Sequence, residues 1–250
     1  MQLDGRRILI TGGASGLGLE SAKLFIADGA RVALLDRNPQ ALTDAVAMLG
    51  AGVAAVEADV TDESAVQLAV QRAAQSLGGI DGLLNSAGIS LWKPFEELSF
   101  ADWRRVQSID LDGPFLVSHA VLPHLRAAGG GSVVNLASGA GMRPLPNLSA
   151  YCVAKAGVVM LTRAMALDLV KYGIRVNAVA PGPIHTPMLE RTLAAAPDRA
   201  ATEERFFARV GMRRFGRAEE VARAVRFLMG PESSFTTGAV LEVDGGRVYV

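Results

Sequence analysis

Three residues have types and spacings that could move a proton on and off a hydroxyl group. Tyr151 and Lys155 stand four residues apart in a segment of helical character, so their side chains share one face of the helix. A phenol has an ordinary pKa of about 10, and a neighbouring ammonium lowers that pKa by stabilising the phenolate. Ser138, at the end of a strand candidate, would hold and orient the reacting oxygen. Tyr151 is therefore the candidate acid/base, although a Tyr-x-x-x-Lys spacing on a helix also arises by chance.

The elements that would position these side chains alternate between short apolar runs and longer helical segments. The apolar runs are nearly continuous, which is typical of strands buried on both faces of a parallel sheet. Strand candidates are 7–11, 31–36, 53–57, 82–85, 132–136, 175–180 and 240–243; helix candidates are 16–27, 40–49, 63–77, 100–126, 150–170 and 218–229. This order predicts an α/β fold in which helices flank a doubly wound, mainly parallel, seven-stranded, Rossmann-like sheet, with residues 1–250 forming a single domain.

Composition excludes several classes of function. The 250 residues include 25 basic and 25 acidic side chains, so the charge balance offers no basic footprint for nucleic acid. With Cys152 as the single cysteine, an internal disulfide is impossible, and a reducing cytoplasmic setting is expected. No apolar run reaches the roughly 18 residues that a membrane span needs. The histidines, His119, His124 and His185, are not spaced as a metal-binding pair, so no metal site is expected.

A glycine-rich turn joins the first strand candidate to the first helix candidate. The residues from Thr11 to Gly18 read TGGASGLG. Glycines in this position allow a tight turn and let backbone approach a pyrophosphate, which the positive end of the following helix attracts. Asp36 ends the second strand, where a carboxylate accepts hydrogen bonds from the adenosine ribose and repels a 2′-phosphate. The pattern favours NAD over NADP, although the guanidinium of Arg37 could pair with such a phosphate.

Residues 183–216 break the alternation of strands and helices. No strand signal is visible from Pro181 to Gly216, and two short helices are expected near 188–196 and 202–210. A long excursion within a compact domain is often functional, so this segment is a candidate substrate-binding lid. The expected substrate pocket is mostly apolar, which favours a hydrophobic substrate. Besides Ser138 and Tyr151, its candidate residues are Trp92, Met142, Asn147 and Met188.

Ordered motifs along almost the whole chain resemble the short-chain dehydrogenase/reductase family, in the branch marked by TGxxxGxG and YxxxK. They are the turn 11–18, the pair 59–60, the stretch 85–88, the Ser138, Tyr151 and Lys155 spacing, the segments 175–177 and 181–186, and the final Asp-Gly-Gly at 244–246. The resemblance implies an oxidoreductase that transfers a hydride between NAD(H) and a secondary alcohol or ketone. It also implies a homotetramer, with a dimer as the alternative.

The same resemblance assigns roles to individual residues. Ser138, Tyr151 and Lys155 would be catalytic, with Lys155 also bonding the nicotinamide ribose. The full set of expected cofactor contacts is Gly12, Ser15, Gly16, Leu17, Gly18, Asp36, Asp59, Val60, Asn85, Ala87, Gly88, Tyr151, Lys155, Pro181, Gly182, Ile184 and Thr186.

Asp110 departs from the family pattern, which has an asparagine at this position. The family asparagine uses its backbone carbonyl to hold a water linked to the lysine, and an aspartate keeps that carbonyl. Its side chain adds an anion, which would favour a charged Lys155 and disfavour the Tyr151 phenolate. We therefore expect Asp110 to belong to the catalytic set and to shift the pH profile, the alternative being a simple helix-start residue.

Two other functions are compatible with parts of the pattern. A catalytically impaired NAD-binding regulatory protein of the same fold is compatible with Asp110 but disfavoured by the intact Ser138, Tyr151 and Lys155. An epimerase or dehydratase of the longer related branch is disfavoured by the chain length and by the spacing of the glycines.

Overall fold

Seven parallel strands form the central sheet of the computed structural model, which describes residues 2–50 and 52–247. The strands are β1 (Arg7–Thr11), β2 (Arg31–Asp36), β3 (Ala54–Glu57), β4 (Gly82–Asn85), β5 (Gly131–Leu136), β6 (Ile174–Pro181) and β9 (Val240–Val243). Their order across the sheet is β3-β2-β1-β4-β5-β6-β9. The chain winds outwards from β1 in one direction and from β4 in the other. The doubly wound fold is confirmed, and its switch point lies between β1 and β4, where such sheets open a crevice for ligands.

Helices cover both faces of this sheet. They are α1 (Gly16–Ala27), α2 (Pro39–Leu49), α3 (Glu63–Leu77), α4 (Phe100–Gln107), α5 (Gly113–Ala127), α6 (Gly139–Met142), α7 (Ser149–Leu169), α8 (Pro187–Ala194), α9 (Arg199–Phe207) and α10 (Ala218–Met229). Strand residues alternate between the two layers. Ile8 and Ile10 pack in one core with residues of α1, α2 and α10, whereas Leu9 packs in the other with residues of α3, α5 and α7.

The predicted helix 100–126 is wrong in one respect, because it is two helices. A π-helical turn, Ser108–Asp112, separates α4 from α5. Pro114 stands in the first turn of α5, a position where proline is well tolerated. Because proline has no N–H, it cannot donate a hydrogen bond to a carbonyl of the preceding turn. Apolar periodicity does not register this single wide turn, so the sequence suggested one continuous helix.

The expectation that no strand lies in residues 183–216 is also wrong. Two-residue strands β7 (Ile184–His185) and β8 (Gly216–Arg217) pair in parallel and bring the two ends of the segment together. Strands this short carry no detectable period, since two residues cannot show an alternation. The two helices expected here are present as α8 and α9. Phe206 of α9 makes an edge-to-face contact with Trp92, with ring centroids 6.1 Å apart. Among the described residues, no helix is long and apolar enough to cross a membrane.

Candidate active site

Ser138 and Tyr151 meet beyond the carboxyl end of β5. Ser138 is the extended residue that begins α6, and its Oγ accepts a hydrogen bond from the Ala140 N–H at 3.1 Å. Tyr151 lies in the first turn of α7, and a side-chain interaction with Ser138 lowers the pKa of its hydroxyl group. The short helix α6, which directly follows Ser138, packs against α7. The structure therefore brings the serine and tyrosine together as the sequence predicted.

Lys155 lies one turn further along α7, on the same face. Its Nζ donates to the carbonyl oxygen of Leu136 at 3.1 Å and is 5.6 Å from the centre of the Tyr151 ring. Burial opposes the charged form of this amine. Its pKa is nevertheless raised, because the negative charges of the Asp110 carboxylate and of the Tyr151 phenolate together outweigh desolvation. Lys155 is therefore an ammonium ion held beside the phenol.

The pKa of Tyr151 is raised above its ordinary value, although an ammonium ion is close by. Burial is the main cause, and the Asp110 carboxylate adds to it. The Lys155 charge and the Ser138 hydrogen bond lower the pKa, as expected from the sequence, but they do not overcome burial. The phenol is thus held in its protonated form until the pH is high.

Asp110 reaches the site from the π-helical turn. Its Oδ1 accepts a hydrogen bond from the Ile89 N–H at 2.9 Å, and its Oδ2 lies 3.1 Å from Lys155 Nζ. The pKa of this carboxyl is raised above its ordinary value, because burial outweighs the lowering effects of Lys155 and the Ile89 N–H. The Asp110 side chain therefore contacts Lys155 directly. The sequence had suggested a link through the Asp110 backbone carbonyl and a water, and it had not suggested this direct contact.

The glycine turn is tightly packed where β1 meets α1. A side chain on Gly18 would overlap the Gly12 carbonyl oxygen, and one on Gly12 would come within 2.8 Å of the Ala87 Cα. Gly12 also has a φ of 61°, which favours glycine. Thr11 Oγ1 accepts hydrogen bonds from Ser86 and Ala87 N–H groups at 3.0 and 3.2 Å, so it joins this turn to the end of β4. Sequence reasoning assigned Thr11 no role, although it opens the motif.

The first helix has no side-chain cap. Ser15 precedes α1 in an extended conformation without capping it, and the first turn contains no acid. By contrast, α2 and α3 are capped by Asn38 and Asp62. The first N–H groups of α1 are therefore left without a side-chain acceptor, which suits an anion at this end. Gly16 and Leu17 lie in that first turn, and their cofactor contacts stay predictions.

Asp36 lies at the end of β2, against the glycine turn. One carboxylate oxygen accepts from the Ala14 N–H at 3.3 Å and the other from the Asn38 N–H at 3.1 Å. The side chain is partly buried, whereas Arg37 beside it is exposed. The carboxylate is therefore fixed by backbone and keeps free lone pairs for further donors.

Three expected cofactor residues have structural partners of their own. Asp59 accepts from the N–H and hydroxyl of Thr61 at 2.9 and 2.8 Å. Val60 is buried and lies where a side chain on Gly113 would collide with it. Asn85 donates to Asn135 Oδ1 at 2.8 Å, inside the core between β4 and β5. The cofactor contacts of these three residues stay predictions. Because the Asn85 side chain is engaged with Asn135, any contact of Asn85 with the cofactor would be made by its backbone.

The segment after β6 returns to the glycine turn. Gly182 N–H donates to the Val243 carbonyl at 3.0 Å, which fixes the exit of Pro181 from the sheet beside β9. Thr186 caps α8, and its Cβ lies 4.0 Å from where a Gly16 side chain would begin. Ile184 is buried in β7. The 181–186 segment is thus on the same edge of the sheet as the turn.

The expected substrate residues lie in three separate segments of the chain. Trp92 follows β4, Asn147 precedes α7, and a hydrogen bond from the Lys93 N–H to the Asn147 carbonyl at 2.7 Å joins their loops. Met188 lies in the first turn of α8 and is partly buried. Met142 packs against a small apolar cluster that includes Val158. A substrate role for these four residues stays a prediction.

Comparisons with known proteins agree with the class that this fold and site define, a nucleotide-binding oxidoreductase of the doubly wound type. Residues 12–247 match the family model described as enoyl-(acyl carrier protein) reductase. The chain is 43% identical to cis-4-hydroxycyclohexanecarboxylate dehydrogenase of Sinomonas cyclohexanicum, covering 98% of this chain and 97% of that protein. It is 37% identical to 2-(S)-hydroxypropyl-CoM dehydrogenase 3 of Xanthobacter autotrophicus, covering 100% and 99%. The crystal structure of levodione reductase superposes with a TM-score of 0.93 at 40% identity, covering 97% of each chain.

The chain belongs to the short-chain dehydrogenase/reductase family. It is an oxidoreductase of the kind that acts on secondary alcohols and ketones.

Proposed function

We propose that this protein uses NAD to oxidise a secondary alcohol, or to reduce the matching ketone, with Tyr151 as the acid/base. The observation that carries the proposal is the constellation of Ser138, Tyr151 and Lys155 at the edge of the sheet where the glycine turn also lies. The three side chains combine a proton donor, a charge that stabilises its conjugate base, and a hydrogen-bonding partner for the substrate oxygen.

The residues at this edge fit a dinucleotide. The uncapped start of α1, with Gly12, Gly16 and Gly18 before and within it, offers N–H groups to a pyrophosphate. Asp36 supports NAD over NADP, because a fixed carboxylate suits ribose hydroxyls and repels a phosphate. When bound, the nicotinamide supplies the acceptor or donor of the hydride.

The chain's own residues would handle the proton. During oxidation, Tyr151 in its phenolate form takes the hydroxyl proton of the substrate, and during reduction the phenol gives a proton back. Lys155 stabilises the phenolate by its charge. Ser138 donates a hydrogen bond to the substrate oxygen and orients it. The alternation between the two forms of Tyr151 makes the reaction direction dependent on pH.

The segment 183–216 is the proposed substrate lid. Its base is fixed by the β7–β8 pair, and its helix α9 contacts Trp92 through Phe206. Trp92 and Met188 supply apolar surface, which supports a substrate with a mainly apolar body. One relative is named for a hydroxycyclohexane carboxylate and another as a levodione reductase, which supports testing small cyclic alcohols and ketones first.

Subunit association is part of the proposal, with a homotetramer as the expected state and a dimer as its alternative. Large apolar side chains are exposed on α5 and α7, among them Phe115, Met160 and Leu167. Met160 and Leu167 are seven residues apart on α7 and so share one face of it, and exposed apolar faces are typical of surfaces that associate.

A cofactor-linked assay tests the proposed function. The purified protein is incubated with NAD or NADP and a panel of secondary alcohols that includes cyclic and linear compounds, and the reduced cofactor is followed by absorbance. We expect turnover with at least one alcohol and a preference for NAD. Tight NAD binding with no turnover across alcohols and ketones would instead favour the catalytically impaired regulatory protein.

A further inference from the structure

Lys155 and Asp110 form an ion pair in the interior of the molecule, and the proposed reaction gives a role only to the lysine. Lys155 Nζ and Asp110 Oδ2 are 3.1 Å apart, and their side chains are 6% and 0% exposed. Among the ion pairs of residues 2–50 and 52–247, no other has both side chains less than a tenth exposed. A buried carboxylate of this kind needs a compensating charge, and Lys155 supplies it.

Backbone of the π-helical turn and of the segment after β4 surrounds the Asp110 carboxylate. The π-helical turn places Asp110 within the fold, where Oδ1 receives the Ile89 N–H at 2.9 Å. Gly88 lies against the pair, since a Cβ there would come within 2.9 Å of Asp110 Oδ2 and 3.4 Å of Lys155 Nζ. Single π-helical turns within helices are frequent at functional sites. One carboxylate thus joins the turn after β4 to the lysine on α7.

Charge distinguishes this side chain from the asparagine of the family pattern. An asparagine oxygen could still accept from the Ile89 N–H, but it would offer Lys155 no negative charge. Lys155 Nζ also donates to the Leu136 carbonyl, so the ammonium is held from two directions.

We propose that Asp110 is a positioning residue that fixes the Lys155 ammonium through a direct ion pair, so that its negative charge sets the pH range in which Tyr151 works. This proposal deepens the proposed function and rests on Tyr151 as the acid/base. The charged or titratable groups that face the carboxylate are Lys155 and Tyr151 of α7. Tyr151 is additionally influenced by Ser138 and by Cys152.

The direction of the effect follows from the charges. The Asp110 carboxylate raises the pKa of Tyr151 and that of Lys155. The uncharged variant Asp110→Asn should therefore lower both, so that the Tyr151 phenolate forms at lower pH. Oxidation needs the phenolate, so the rising limb of kcat/KM against pH should move to lower pH in the variant.

The test is a spectroscopic pH titration of the phenol in the intact protein. Ultraviolet difference spectra are recorded for the wild type and for Asp110→Asn, and the matching Tyr151→Phe background is subtracted from each. We expect the Tyr151 pKa to fall by about one unit in Asp110→Asn. Asp112→Asn is the matched control, because it removes the same charge from the same π-helical turn without a direct contact to Lys155. Its Tyr151 titration should coincide with that of the wild type.

A second measurement covers the case in which Asp110→Asn does not fold. Infrared spectra of the wild type at neutral pH should contain no band from a buried protonated carboxyl group, whereas Lys155→Met should gain one as Asp110 loses its counter-charge. Coincident titrations of wild type and Asp110→Asn, or a protonated Asp110 in the wild type, would overturn the proposal. Neither measurement needs substrate or cofactor, so a failure here is separable from a failure to find turnover.

Discussion

At the scale of single residues, the site is governed by a competition between burial and charge. Tyr151 is partly buried, and its pKa is raised because desolvation outweighs the Lys155 ammonium. Lys155 stays charged in a deep position because Asp110 compensates it. The sequence could supply the identities and the helical spacing of these residues. It could not supply the outcome of the competition, since that depends on how much water the fold excludes around each group.

Asp36 allows a residue-scale prediction about the cofactor. Replacing Asp36→Ser removes the carboxylate that repels a 2′-phosphate and leaves the exposed Arg37 guanidinium beside the site. We expect the ratio of kcat/KM for NADP over NAD to rise by at least about tenfold, because placing like charges together costs several kcal/mol. Asp44→Asn, an exposed acid on α2, is the charge-matched control and should leave the ratio unchanged. An Asp36→Ser ratio equal to that of the wild type would show that Asp36 does not select the cofactor.

At the scale of elements, the geometry of the site depends on where each strand ends and the following helix begins. The bounds of β1, β2, β4, β9, α1, α3 and α10 agree with the sequence prediction, because apolar runs and glycine boundaries mark them clearly. The π-helical turn Ser108–Asp112 and the β7–β8 pair were missed. Both are tertiary features without a repeating pattern. The first decides where Asp110 points, so the sequence alone could not reveal the direct contact with Lys155.

The first turn of α1 carries an element-scale prediction. A methyl group at position 18 would overlap the Gly12 carbonyl, so Gly18→Ala must open the turn between β1 and α1. We expect NAD affinity to fall by at least about tenfold, measured by calorimetry, because the N–H groups no longer converge on the pyrophosphate. Gly129→Ala strains a distant turn, where φ is 80° and no atom lies within 4 Å of the added carbon. It should lower stability without weakening NAD binding; equal losses of affinity in both variants would contradict the assignment.

At the scale of the whole molecule, two of the proposed catalytic residues, Tyr151 and Lys155, lie on α7, a helix that also exposes large apolar side chains. Lys155 faces the core of the site, whereas Leu167 of the same helix is 80% exposed. Helix α7 therefore carries the proposed proton-transfer residues on one face and exposed apolar side chains on another. Subunit contacts on this helix would stabilise the segment that holds Tyr151.

A substitution at Leu167 tests whether subunits associate through the exposed face of α7. Introducing a charge with Leu167→Glu should reduce the oligomer mass measured by light scattering during gel filtration, because a carboxylate is not tolerated in an apolar interface core. Leu68→Glu is the control, since Leu68 is also exposed but lies on α3. A wild-type monomer, or a Leu167→Glu protein with unchanged mass, would rule out association through this face.

Hydride transfer with Tyr151 as the acid/base is the central claim, and deuterium transfer tests it most directly. The wild-type protein and Tyr151→Phe are incubated with NAD and a secondary alcohol that carries deuterium on its carbinol carbon, and the reduced cofactor is analysed by mass spectrometry. We predict one deuterium on the nicotinamide ring with the wild type, and a rate about 10² to 10⁴ lower with Tyr151→Phe. Tyr172→Phe, at the far end of the same helical region, should retain the wild-type rate. Reduced cofactor without deuterium, or a Tyr151→Phe rate equal to that of the wild type, would contradict the account.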